Sequence, residues 1–300
     1  MLIKLIGEIM IIRMPINKQL AVIPSYLQHL KGRMNNEVQE LRKLRQFLNI
    51  LNKDVMETYF QPILQLQNGQ TMGHEVLNRP PISNEFPSTD LFYEFAGESE
   101  LMLRLEKKCR QMSLTRYAER SPIPIVDNDK LIFINVHPGI LNDLRHKSGE
   151  TLALVKGLGI SPCHVVFELT ERQAVQDYVS FEKALSHYRE QGFRIAVDDA
   201  GSGYNSLKTL VYLKPEFIKL DKSLIRGIND NPDQQELLEL VKEYADRSST
   251  QVIAEGIETV EELYFLQKSG IDYGQGYALG RPVSQPLEGS YPEYVTQRDI

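Results

Sequence analysis

Short apolar, β-branched runs end, one after another, in a residue whose side chain can bind a cation or carry a proton. This recurrence constrains the fold more than any other feature of the chain. Met72–Glu75 closes on Glu75 and Leu131–Asn135 on Asn135, and Glu168 lies in Val165–Leu169. Asp198 and Asp199 follow Ile195–Val197, Lys219 lies in Phe217–Leu220, Glu255 follows Val252–Ala254, and Gln275 sits in Tyr273–Tyr277. Such runs read as buried strands. Amphipathic stretches separate them, among them Tyr178–Gln191 and Gln234–Ser248. From Glu168 onward the polar strand ends recur at intervals of roughly 20 to 36 residues, the size of a βα unit. Strand alternating with helix over such a length means a parallel sheet with crossover helices, either open or closed. An open sheet would scatter these ends along a ridge more than ~30 Å long, because neighbouring strands lie ~4.8 Å apart. A closed barrel gathers them on one face, where barrel enzymes place their chemistry. The expected fold is therefore α/β, a TIM-like (β/α)8 barrel with an N-terminal helical extension.

Gathered in one pocket, Glu75, Glu168, Asp198, Asp199 and Glu255 repel one another unless protons or cations intervene. Taken singly, a strand-end acid is most often a helix cap or a surface ion-pair partner. Asp198-Asp199 before Gly201 could be a turn, and Lys219 could pair with Asp221. Coincidence on successive strand ends is what argues for a site. Carboxylates with one amide oxygen form the ligand set of a hard cation, Mg²⁺ or Mn²⁺, rather than zinc. An adjacent aspartate pair lets one carboxylate bridge two ions, an arrangement suited to phosphoester hydrolysis. His74 and His137 stand beside strand ends but lack a second histidine at chelating spacing, so neither is assigned as a ligand.

A formal charge of −6 argues against a nucleic-acid polymer as partner, since that affinity comes largely from clustered lysine and arginine. The two cysteines, Cys109 and Cys163, form no metal or redox motif and fit a reducing cytoplasm. No apolar run reaches the ~20 residues of a membrane span; Leu2–Ile12 is short and interrupted by Lys4 and Glu8. Residues 1–35 match no motif, and Pro15 and Pro24 should break any long helix there. From Glu37 to about Tyr59, Val38, Leu41, Leu44, Leu48, Leu51 and Val55 recur at helical steps and predict an amphipathic helix. The expected organisation is an N-terminal extension over 1–50, a barrel over 51–290 and a tail over 291–300. The extension is a candidate surface for a regulatory partner.

With these residues in hand, the sequence resembles the EAL family of cyclic di-GMP phosphodiesterases over about Leu51 to Pro282. The Glu-Ala-Leu signature stands here as Glu75-Val76-Leu77, followed by Arg79; Tyr59–Ile63 is similar to the family's aromatic-Gln-Pro-Ile strand. Phe133–Val136, Phe167–Glu171, Asp198–Tyr204, Lys219–Asp221, Ala254–Thr259 and Gln275–Tyr277 match further family elements in type and order.

The resemblance implies hydrolysis of cyclic di-GMP to linear pGpG with two Mg²⁺ or Mn²⁺ ions per site. Glu75, Asn135, Glu168 and Asp198 would hold the first ion, and Asp198, Asp199 and Glu255 the second. Lys219 would orient or deprotonate the attacking water, near two dications that depress its pKa. Gln275 would support that water, Glu171 would fix the loop after Asp199, and Gln61, Leu77 and Arg79 would meet the substrate. Ala200 replaces a Phe in a loop that family members use to couple dimerisation to the metals. A homodimer is therefore expected, with that loop loosened and activity falling on dilution. The competing implication is a catalytically silent receptor acting through partner contacts.

Overall fold

Eight strands close into a barrel in chain order. They are β1 (Glu57–Gln65), β2 (Thr71–Arg79), β3 (Leu131–Asn135), β4 (Val165–Thr170), β5 (Arg194–Ala200), β6 (Phe217–Leu220), β7 (Gln251–Ala254) and β8 (Tyr273–Gly274). This computed structural model describes residues 16–97, 101–125, 128–137, 149–170, 178–201 and 206–292. Strands β2 to β8 pair in parallel, and the expected helices recur as Tyr178–Glu190 and Pro232–Ser248.

One strand departs from the expected all-parallel sheet. β1 runs antiparallel to both β2 and β8. The cause is local. Only Leu66–Gln70 separates β1 from β2, which leaves no length for a crossover helix. The turn is closed by Gly69 N–H donating to the Gln65 carbonyl (2.9 Å), with Gly69 at φ +72.

Side chains alternate faces along a strand, and the alternation sorts them into two cores. Ile63, Leu131, Phe133, Val166, Ala196, Phe217 and Ile253 fill the barrel interior. Val76, Ile132, Ile134, Phe167, Leu169, Ile195, Val197, Ile218 and Val252 face outward and meet the helices. Glu75, Glu168, Asp198 and Lys219 share the inward parity of the interior set. Ala200 belongs to the outer cluster at 2% exposure.

The described residues fall into two compact units, one drawn from Met1–Val55 and Pro80–Phe95, the other from Met56–Arg79 and Ala96–Ile300. In the first, Phe47 packs on Phe92 (4.9 Å between ring centroids), and Phe86 meets Phe92 and Phe95 at 5.2 and 5.5 Å. Helix α1 covers Ile16–Lys53. It begins well before Glu37 and stops short of Tyr59, which lies in β1. The helix runs through Pro24; a proline there forfeits one backbone hydrogen bond without ending it. No helix among the described residues is long and apolar enough to cross a membrane.

Candidate active site

Inward parity and the C-terminal strand ends bring the polar residues together above the interior core. Lys219, 1% exposed, is their centre. Its Nζ lies 2.7 Å from Glu168 Oε1 and from Glu255 Oε1, and 3.3 Å from Glu75 Oε2 and Asp198 Oδ1. Asn135, at the exposed end of β3, donates to Glu75 Oε1 at 3.4 Å. Gln275 Nε2 donates to Glu75 Oε2 (2.6 Å) and to Gln61 Oε1 (3.1 Å), and Gln61 Nε2 donates to the Gly280 carbonyl (3.2 Å).

Two consecutive carboxylates in a regular strand would face opposite sides. Here the β5–β6 register shifts between Val197 and Ala200, and Asp199 takes the left-handed conformation at φ +56. Such a bulge re-aims a side chain, and bulges concentrate beside active sites. Gly201 follows at φ +95, where a β-carbon would lie 2.3 Å from Leu224 Cδ1. As a result Asp198, Asp199 and Glu255 offer oxygens all within 4.8 Å of one another.

Burial pushes the Glu168 carboxyl well above the usual carboxylate range, against the pull of Lys219. Burial likewise pushes Glu255 up to about 8. Glu75 is held below its ordinary value, because Lys219, Gln275 and Asn135 together outweigh burial. Burial alone would lower Lys219, but Asp198, Glu168, Glu255 and Glu75 hold its amine protonated well above its ordinary range. The depressed lysine anticipated from the sequence requires dications beside it; with carboxylates as neighbours the direction reverses. The Lys219 ammonium thus offsets part of the carboxylate charge, and the upward shifts of Glu168 and Glu255 show that burial resists the rest.

The same residues fit divalent cations. Glu168 Oε2 and Gln275 Oε1 are buried and receive no hydrogen bond, and the available donors are oxygens. Leu77 lies half-buried on the inward parity of β2, and exposed Arg79 ends that strand opposite Glu57. Glu171 lies outside the described residues. Gly280, whose carbonyl anchors Gln61, carried no signal in the sequence.

Comparison with known proteins places the fold and the sequence among relatives. The chain is 29% identical over 259 residues to an Escherichia coli K12 protein named probable cyclic di-GMP phosphodiesterase PdeA, covering 86% of this chain and 34% of that protein. Among the curated relatives it matches, the chain spans as little as 30% of one from Caulobacter vibrioides and 58% of Bacillus subtilis YkuI. A structure of the EAL enzyme Bd1971 with cAMP and cyclic di-GMP superposes with a TM-score of 0.74 at 23% identity, covering 91% of this chain and 75% of that one. Klebsiella pneumoniae BlrP1 in a calcium and cyclic di-GMP complex gives 0.68 at 25% identity, covering 79% and 57%. The EAL domain family matches residues 41–282, four-fifths of the sequence. The chain belongs to the EAL domain family.

Proposed function

We propose that this chain hydrolyses cyclic di-GMP to linear pGpG with the help of two divalent cations, Mg²⁺ or Mn²⁺. The observation that carries the reading is the convergence of Glu75, Glu168, Asp198 and Glu255 on one buried lysine at the strand ends. In the proposal Glu75, Asn135, Glu168 and Asp198 hold one ion, and Asp198, Asp199 and Glu255 the other. Bound there, the cations would supply charge stabilisation for the phosphoryl group as its oxygens become more negative.

The chain's own residues do the remaining work. Lys219 is placed to receive or return a proton at its Nζ once cations take over the carboxylates that now hold it charged. Gln275 Oε1, an acceptor without a donor, is available to a water in the pocket. The closed interior core beneath, with Phe133 and Phe217 at 0% and 1% exposure, keeps bulk water out from below. Arg79 and Leu77 on β2 are assigned to the substrate's phosphate and base, and Glu171 to the loop after Asp199. Residues 51–290 are proposed as the catalytic barrel, acting as a cytoplasmic homodimer. The N-terminal extension then offers a surface for a regulatory partner.

The test is an assay of purified protein on cyclic di-GMP with Mg²⁺ or Mn²⁺, following pGpG by chromatography, with an EDTA control. Metal-dependent pGpG formation supports the reading. Tight binding of cyclic di-GMP without turnover in either metal would replace it with the receptor.

A further inference from the structure

The amide of Gln275 has a fixed direction, set by Glu75 together with a group outside the carboxylate cluster. An amide can be turned over so that oxygen and nitrogen exchange places, and its partners decide which way it lies. Gln275 Nε2 faces two acceptors, Glu75 Oε2 at 2.6 Å and Gln61 Oε1 at 3.1 Å. With its nitrogen committed, Oε1 is left pointing away from both, buried and without a donor. Gln61 could offer its own nitrogen instead, in which case two amide nitrogens would oppose each other. The Gly280 carbonyl prevents this. It accepts only, and it receives Gln61 Nε2 at 3.2 Å, so Gln61 must turn its oxygen toward Gln275.

The backbone around residue 280 is built for that contact. A β-carbon at Gly280 would lie 2.4 Å from Pro62 Cγ, so a side chain there would push the segment off β1. Val283 exchanges backbone hydrogen bonds with Phe60 (2.7 and 3.1 Å), pinning the same segment to the strand that carries Gln61. The antiparallel register sets Gln61 opposite Glu75, side by side on the inward face. Both Gln61 and Gln275 are buried, at 7% and 5% exposure.

We infer that Gln61 is a positioning residue. A relay from the Gly280 carbonyl through Gln61 acts with Glu75 to hold Gln275, so that its Oε1 is kept free as an acceptor and its Nε2 steadies Glu75. The inference rests on the proposed function for its catalytic consequence, but not for its effect on cation affinity. It differs from assigning Gln61 to substrate, because its effect passes through Gln275.

Gln61→Met keeps the length of the side chain and removes both hydrogen bonds. Groups that orient metal ligands typically change affinity or activity about 10- to 100-fold when lost. Titration calorimetry of metal-free protein with Mn²⁺ should show a loss of that size for Gln61→Met, and kcat on cyclic di-GMP should fall with little change in KM. Introducing Gln61→Met into Gln275→Met should then cost nothing further in either measurement. Losses that multiply in the double variant, a KM rise at unchanged kcat, or unchanged Mn²⁺ affinity would each overturn the relay. Should wild-type protein leave cyclic di-GMP intact, the functional reading fails while the Mn²⁺ titrations still decide the relay. One measurement needs no folded variant. The side-chain amide protons of Gln275 in metal-free wild type should exchange with solvent slowly, and rapid exchange would refute the relay outright.

Discussion

Lys219→Met should make the metal-free barrel unstable in a way that depends on pH and is repaired by cations. The lysine is 1% exposed and is the ammonium that faces Glu75, Glu168, Asp198 and Glu255. Removing one partner of a buried ion pair costs about 3–5 kcal/mol, because the remaining charge is stranded. In a domain of this size each kcal/mol moves Tm by about 2–4 °C, so a fall of roughly 6–20 °C is expected near pH 8. At pH 5 the fall should be much smaller. Glu168 and Glu255 have folded pKa values raised above the 4.5 of an ordinary glutamate, Glu255 to about 8. A carboxyl raised on folding binds more protons in the native state, so stability declines as pH climbs from about 4.5 toward 8. Losing Lys219 removes the group that opposes those shifts, and the deficit should widen over that window. Mn²⁺ should then stabilise the variant more than the wild type; at 100 times its Kd a cation contributes about 2.7 kcal/mol. Differential scanning fluorimetry at pH 5, 6.5 and 8, with and without Mn²⁺, reads all of this. A deficit that is the same at every pH, or that Mn²⁺ does not reduce, would refute the reasoning.

Glu168→Ala and Asp198→Ala should abolish turnover and weaken Mn²⁺ binding while circular dichroism still shows the barrel; near-normal turnover in Mg²⁺ would remove both from the site. Lys219→Ala should lower kcat by ~10²–10⁴ yet still bind cyclic di-GMP, whereas lost binding with intact turnover would make it a phosphate clamp. Mn²⁺ binding at pH 7 should release a proton from Glu255, whose carboxyl burial pushes up to about 8, seen by calorimetry in buffers of different ionisation enthalpy; equal heats in all buffers would contradict its protonation. Phe133→Ala, emptying the 0%-exposed interior beneath the site, should cost about 3–5 kcal/mol in denaturant unfolding, and a cost below ~1 kcal/mol would show that layer to be loose.

Much of the site was legible because strand parity is a local property. Once Phe133, Glu168 and Lys219 lie on inward positions, their neighbours at i±2 follow, and a closed barrel gathers the ends. The orientation of β1 was also within reach: two strand-like runs around Gln67-Asn68-Gly69-Gln70 leave no room for a crossover. Pro24 misled in the other direction, since the rest of α1 holds the helix together without one N–H. The turn of Asp199 was not legible, because a bulge arises from the register of β5 against β6, which no single strand encodes. Nor was the partner of Gln61, which lies 219 residues away in sequence.

The strand that closes the barrel is also its shortest. β8 has two residues and meets β1 through two register pairs, Leu64 with Gly274 and Gln65 with Tyr273. The β1–β2 hairpin can form early, its ends being near in sequence, whereas joining β1 to β8 closes a loop of about two hundred residues. Because β8 pairs just as briefly with β7, the two seams of β8 are expected to zip late and part early. Native-state hydrogen exchange should show a partial opening there at lower free energy than global unfolding. Gln275 lies one residue beyond β8, so its side-chain amide should exchange no faster than that opening allows.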